Sequence, residues 1–292
     1  NCRITMQQAN KHSFTVQTEG TLSDSDLGIK GSLSYNNKNL FRGAESFQLS
    51  LKYGLEAQHH LGLDEEGGAE NRVFNTHELG ISASIRFPRF LSPFTHSDFA
   101  RDYLPNTTFA LGYNMQIRYY YSRFISSALY SYDWKNSNRV RHTLTPIFYN
   151  GVKIDNVNPE FQAYLDQQTN QRKKDQYTNH LLLVTRYSFI YSTQRPNITT
   201  SFVYLRADFE SSGNLLSLFN KTKLISESEG FHELFGVRFA QYVRGWFDIH
   251  EHIDLGKENW LVFRQFVGLG LPYGNSLDLP FERSFYGGGA NG

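Results

Sequence analysis

From residue 47 to residue 58 the chain alternates without a break. Phe47, Leu49, Leu51, Tyr53, Leu55 and Ala57 interleave with Gln48, Ser50, Lys52, Gly54, Glu56 and Gln58. Successive side chains of a strand point to opposite faces, so this pattern is a strand with one apolar and one polar face. The rhythm recurs at 27–35, 79–87 and 109–117, and with larger polar residues at 203–210, 237–250 and 261–271. Weaker versions at 13–21, 121–134, 140–149 and 181–191 bring the total to about eleven strands. A helix needs a period near 3.6 residues, and none of these segments has one.

Two architectures use such strands. A soluble sandwich packs the apolar face on a second sheet and typically has strands of ~5 or 6 residues. A transmembrane barrel uses ~9 to 11 residues per strand, an apolar outer band, aromatic girdles and a polar lumen. Several segments here alternate over ten or more residues, about as a barrel requires. Composition narrows the field further. Aromatic residues make up 15% of the 292 residues, charged residues 20%, and mean hydropathy is -0.49, with no run near the ~18 apolar residues of a membrane helix. The 29 Lys and Arg against 28 Asp and Glu give a net charge of +1, so no global field draws in nucleic acid. The single cysteine, Cys2, closes no internal disulfide, and no signal-peptide pattern is visible in the residues at the start. Since Asn1 is not an initiator residue, the chain reads as cut from something longer.

The connections fall into two classes. Those at 36–45, 135–139, 195–197 and 256–259 are short and turn-like, whereas 59–75, 155–179 and 215–236 are long and polar. Short periplasmic turns and long external loops would give the barrel an orientation, with 87–106 as an exception on the periplasmic side. Tyr119, Tyr120 and Tyr121 at one strand end, and Tyr130, Tyr132 and Trp134 at another, sit where girdle aromatics belong. Ordinary cross-strand packing is the competing reading of those rings. In the longest loop Asn158 is placed to cap a short surface helix opening at Pro159 and Glu160.

An odd strand count started from the periplasm leaves the end outside. There stand Leu279, Pro280, Phe281, Glu282, Arg283, Ser284, Phe285, Tyr286, Gly287, Gly288, Gly289, Ala290, Asn291 and Gly292. This run resembles the sixth external loop of BamA/TamA-type outer-membrane assembly factors, in which such a segment leads into an Arg-Gly-aromatic motif folded back inside the barrel. The stretch from Asn37, Lys38, Asn39, Leu40 and Phe41 through Arg42, Gly43, Ala44 and Glu45 is similar to that family's Arg-Asn-Leu-Phe turn, with Lys38 in place of Arg. With His12, Ser13 and Phe14, and Glu19, Gly20 and Thr21, the chain is most similar to the TamL-like branch of Bacteroidota. The Arg-Gly-aromatic motif itself, the last five strands of a family barrel of sixteen, and the POTRA domains are not in this sequence.

The resemblance implies an all-β transmembrane antiparallel β-barrel in the bacterial outer membrane, here about eleven strands of sixteen. Residues 1–10 would be a linker from a periplasmic part, 11–275 strands one to eleven, and 276–292 the start of external loop six. It implies a factor that inserts nascent outer-membrane β-barrel proteins, or exports a passenger, without covalent chemistry or cofactor. Outer-membrane lipid and periplasmic or lipoprotein accessory subunits would be its partners. The family places a lateral seam on strand one, at Ser13, Phe14, Thr15, Val16, Gln17, Thr18 and Glu19. That strand is also the most polar one, as suits an edge that opens. Phe281, Glu282, Arg283, Phe285, Tyr286, Gly287, Gly288 and Gly289 would form the inward loop.

Other motifs weigh less. Val243, Arg244, Gly245 and Trp246 match the family's loop motif by letter but lie inside an alternating segment, so they read as lumen-facing strand with Arg238 and Asp248, Arg244 serving to anchor the loop. His250 and His252 share a face but lack a third ligand nearby. His59 and His60, beside Asp64, Glu65 and Glu66, read as a solvated loop. A Ser-His hydrolase needs a spatial juxtaposition that spacing alone does not supply. The rivals to an assembly factor are a passive channel or receptor barrel and a soluble β-sandwich binding module.

Overall fold

The structure, a computed structural model, describes residues 10–23, 26–57, 74–91, 103–169, 174, 177–195, 200–219, 225–228 and 230–285. Its main element is one eleven-stranded antiparallel sheet. The strands are β1 (His12–Ser23), β2 (Asp26–Asn37), β3 (Ser46–Ala57), β4 (Thr76–Phe87), β5 (Asn106–Ile117), β6 (Ser122–Ser137), β7 (Val140–Asp155), β8 (His180–Ser192) and β9 (Phe202–Ser212), followed in the sheet by β13 (Tyr242–Gly256) and β14 (Asn259–Pro272). Every strand except the two at the edges pairs with a neighbour on each side, and the strands follow one another in chain order, with β9 pairing β13 across the segment between them. No described helix is long and apolar enough to cross a membrane.

From β1 to β5 the ladders run without a register shift. Beyond them the sheet is less regular. Pro146 cannot donate to a ladder, and around it β7 carries an extra residue between Thr145 and Phe148. Thr185 Oγ1 donates to the freed Pro146 carbonyl at 2.9 Å. The β13–β14 hairpin turns at Lys257 and Glu258, both at positive φ, which matches the twist of the strands it joins.

Between β9 and β13 the chain builds a second, three-stranded sheet of β10 (Ile225–Ser228), β11 (Phe231–Leu234) and β12 (Val237–Arg238). Two expectations are corrected here. The stretch 215–236 is not simply a polar loop, and 237–250 is not one strand. Phe239 leaves β12 to bridge Leu181 of β8, and β13 starts only at Tyr242.

The sheet has its faces reversed relative to a protein that hides its apolar side from solvent. Leu51, Ile81, Leu111, Phe209, Phe247 and Val267 line the apolar face and are all more than two-fifths exposed. On the other face Asp208 and Glu210 are buried. That polar face is concave. Glu282 bonds to Arg123 of β6, while Phe285, three residues on, sits over Gly268 of β14. In a flat sheet those strands would lie ~24 Å apart at ~4.8 Å per strand, whereas three residues span at most ~10 Å. Side chains cover part of the gap and curvature covers the remainder.

Among the described residues, apolar packing on the concave face lies on the β6–β14 side. Helix α1 (Pro159–Gln167) starts with Asn158 Oδ1 accepting from Glu160 N at 2.9 Å, as the sequence suggests. It lies at the surface, with six of its nine residues exposed, and packs down through one side. Phe161 and Leu165 are buried against Tyr120, Tyr121, Val152 and Ile154. Tyr120 and Tyr121 therefore pack under a helix rather than forming a girdle with Tyr119. Trp134 stacks on His142 at 5.0 Å and meets Phe90 edge-on at 5.9 Å.

Candidate functional site

Two features stand out: a segment docked on the concave face and a strand edge held from one side. The segment follows β14. Leu279 packs on Gly270, and Phe285 lies where a Cβ on Gly268 would meet its ring at 2.6 Å, so both glycines are required by close approach. The ring also meets Phe266 edge-on at 5.9 Å, and the Arg244 guanidinium lies 4.1 Å from its centroid.

Two ion clusters hold the residues between. Glu282 accepts from Arg123 Nη2 at 3.0 Å and lies 3.2 Å from His180 Nε2. Burial pushes its carboxyl up, but the hydrogen bond and charge of His180, its own backbone N–H and the charge of Arg123 outweigh that and bring it down to about 2. Arg283 lies 3.7 Å from the carboxylate of Glu210, 5.5 Å from the Phe148 ring centroid. Glu210 also pairs with Arg186 at 3.0 Å and Arg244 at 3.8 Å, and accepts from the Tyr242 hydroxyl at 3.1 Å. One buried carboxylate thus faces three guanidinium groups, which offsets its desolvation.

A second network lies further along β9, β13 and β14. Asp248 binds Arg264 through two hydrogen bonds of 2.9 and 2.8 Å and meets His250 Nε2 at 2.9 Å. Arg206 pairs with Asp208 at 2.8 Å and stacks over Trp246 at 4.9 Å. Val243 to Trp246 lie within β13, with Arg244, Trp246 and Asp248 on the concave face. Arg238 does not join them, contrary to the sequence reading. It belongs to β12, stacks over Phe231 at 3.4 Å and donates to the Asn275 carbonyl at 3.0 and 2.9 Å. Its parity with Arg244 misleads because the strand is interrupted between them.

Sequence reasoning passed over Asn275, Glu210, Arg186, Arg123 and His180. Asn275 staples the small sheet to the start of the docked segment, accepting from His232 N at 2.6 Å and donating to the carbonyls of His232 and Phe239 at 2.7 and 2.8 Å. The signal for Glu210 becomes visible once register is known, since Arg186 and Arg244 stand directly opposite it on its two neighbours. Tyr286, Gly287, Gly288 and Gly289 lie outside the described residues. Among the described residues no three His, Cys, Asp or Glu gather closely enough to hold a metal ion.

The edge is β1. All twelve of its residues pair with β2, from His12 opposite Asn37 to Ser23 opposite Asp26, and none pairs elsewhere. Ser13, Thr15, Gln17 and Glu19 share the concave face, and Phe14, Val16 and Thr18 the other, with Phe14 and Val16 about three-quarters exposed. The strand extends two residues past the expected Thr21. At its lower end the β2–β3 connection is a compact knot. Glu45 accepts from Phe41 N at 3.2 Å and Gly43 N at 2.9 Å, and Asn39 Oδ1 accepts from Ala44 N at 3.0 Å. Burial pushes the Glu45 carboxyl up, but these backbone donors and its own N–H hold it below its ordinary value.

The chain thus combines a reversed, concave sheet, a charged segment seated inside it and one strand edge against which none of the described segments packs from inside. No family model matches the chain, and no curated protein matches it.

Proposed function

We propose that the sheet is the wall of a β-barrel in the bacterial outer membrane, and that its β1 edge takes up the strands of client proteins during their insertion. The reversed faces support the first part. A wall with charges inside and Leu, Ile, Val and Phe outside is stable where hydrocarbon, not water, meets the outer face. Strands of 11 to 16 residues suit a tilted crossing.

The observation that carries the second part is the contrast between the two edges. Each is paired on one side only. The β14 edge is weighted by the docked segment, through Phe285 over Gly268 and Leu279 over Gly270. Among the described residues no such segment is seated on the β1 edge. Its Gln17 makes one long hydrogen bond, 3.4 Å from Ser32. In hydrocarbon each unpaired backbone group costs several kcal/mol, so this edge must be met by another strand. A client strand would satisfy it through main-chain hydrogen bonds, with no covalent step. The clients are nascent outer-membrane β-barrel proteins, and periplasmic and lipoprotein accessory subunits would deliver them.

A photo-crosslinker at Val16 tests this in living cells, with Leu111 as the control site. Adducts to newly made outer-membrane proteins from Val16 alone are expected. Adducts confined to the same chain, with steady ion conductance in planar bilayers, would replace this reading with a passive channel or receptor barrel.

A further inference from the structure

One polar interruption of the apolar face is a groove. Where β6 and β7 pair, Ser126 stands opposite Gly151 and Phe124 opposite Lys153, with Asp155 at the strand end. These residues line a groove of about 410 Å³, closed on one flank by Tyr113 of β5 and on the other by Leu181 and Val237. The groove exists for two reasons. Gly151 leaves its floor open, since a Cβ there would meet the Tyr149 hydroxyl. Val237 comes from the small sheet, which covers the upper outer side of β8 through Leu216, Ile225, Leu234 and Phe239. The groove is thus apolar along its walls, hydroxyl-lined at its floor by Ser126 and Tyr149, and ionic at its rim.

We infer that this groove holds one phosphoryl-bearing lipid of the outer membrane, an acyl chain lying along Tyr113, Phe124 and Leu181 and a phosphoryl group on Lys153. The inference rests on the membrane placement proposed above, which makes hydrocarbon the medium at the groove's mouth. Charge complementarity identifies the head group. Lys153 and Asp155 pair at 3.0 Å, yet both side chains are half exposed or more. Such a pair contributes little and exchanges partners readily. A phosphoryl oxygen would take the ammonium group, and the freed Asp155 carboxylate would face a cationic or hydroxylated head. The rim lies at the strand ends, level with Ile117 and Ser122, where head groups meet the wall.

Native mass spectrometry of the full chain, released from detergent in the presence of phosphatidylglycerol, tests the site. One retained lipid per chain is expected. Lys153→Gln should lower retention roughly fivefold, the loss of one charge-assisted contact. Lys153→Arg should preserve it, and Gly151→Leu, which fills the floor, should abolish it. Lys52→Gln, on the opposite face, should change nothing. Equal retention by wild type, Lys153→Gln and Gly151→Leu would overturn the site. So would equal retention of a matched diacylglycerol, which lacks the phosphoryl group, or binding of inorganic phosphate alone. Circular dichroism of each variant separates loss of the site from loss of the fold. Flotation with vesicles separates the two proposals: a chain that does not float defeats both, whereas one that floats but retains lipid indifferently defeats only the groove.

Discussion

The sheet divides into a lean half and a filled half. In β1 to β5 the ladders are in unbroken register, the concave face is mostly uncharged, with Gly, Ser, Thr, Asn and Gln predominating, and its main ionic feature is Lys30 between Glu56 at 3.0 Å and Glu78 at 3.3 Å. None of the three buried apolar clusters contains a residue of these strands. In β6 to β14 the strands carry register shifts, helix α1 and the 279–285 segment cover the concave face, and buried charges are cross-linked strand to strand. The difference teaches where rigidity is placed. Contents seated on one half brace it against bending, while among the described residues the half that ends in β1 is held by its ladders and by side-chain links between neighbouring strands such as Lys30 to Glu56 and Glu78, so it is expected to change curvature more readily.

Removing the centre of the filled half should have the largest effect. Glu210→Ala leaves Arg186, Arg244 and Arg283 facing one another without their carboxylate, and breaking such a buried pair costs about 3–5 kcal/mol. We expect a matching fall in the urea midpoint in lipid vesicles, and hydrogen exchange in 279–285 rising to the level of an open loop. If exchange in that segment stays slow, the cluster does not hold it.

Gly268→Val should have a smaller effect. Its new side chain enters the space of the Phe285 ring, an overpacking that costs about 1–3 kcal/mol. The expected signature is loosening of Phe285 and Leu279 with β1 to β5 unchanged. Equal loosening of both halves would mean that the lean half depends on the segment after all, and the comparison would fail.

The sequence made the sheet legible and its contents mostly illegible, for a physical reason. Alternation is local, so all eleven long strands could be read from residues two apart, such as Leu49, Leu51 and Tyr53. The short strands β10 to β12 offer four residues or fewer, too few for a period to register. Arg238 was misplaced because parity continues across a break that only the Asn275 staple and the Phe239 bridge reveal. Glu282 and Arg283 were singled out by resemblance, but their partners Arg123, His180 and Glu210 lie on strands far away in the chain. Tyr120 and Tyr121 look like girdle residues until Phe161 is seen to cover them.

Acid should reproduce part of the Glu210 effect reversibly. The Glu282 carboxyl is ordinarily near 4.5 and sits at about 2 in the docked segment. A depressed carboxylate stabilises the docked state fully above about 4.5 and loses that contribution as pH falls toward about 2. Exchange in 279–285 should therefore rise across that window while β1 to β5 stay as they were. Glu282→Gln should flatten the dependence and show fast exchange already at pH 7. A wild-type profile unchanged between pH 5 and pH 2.5 would remove Glu282 from the anchor.

The smallest predicted change sharpens the comparison from the lean side. In the β2–β3 connection Arg42 and Ala44 hold φ of 68° and 63°, a left-handed conformation that costs an L residue about 1–2 kcal/mol. The Glu45 carboxylate and Asn39 amide pin it there through the N–H groups of Phe41, Gly43 and Ala44. Ala44→Gly removes the steric cost but adds freedom to the unfolded chain, about 0.4–1 kcal/mol in the opposite direction. The net expectation is a gain between about 0 and about 1.6 kcal/mol, read as a small rise in the urea midpoint. Because none of the described docked elements reaches this half, the gain should appear as slower exchange in β2 and β3 and leave 279–285 untouched. An equal slowing in the segment would show that the two halves act as one body, and β1 would then no longer be the freer edge.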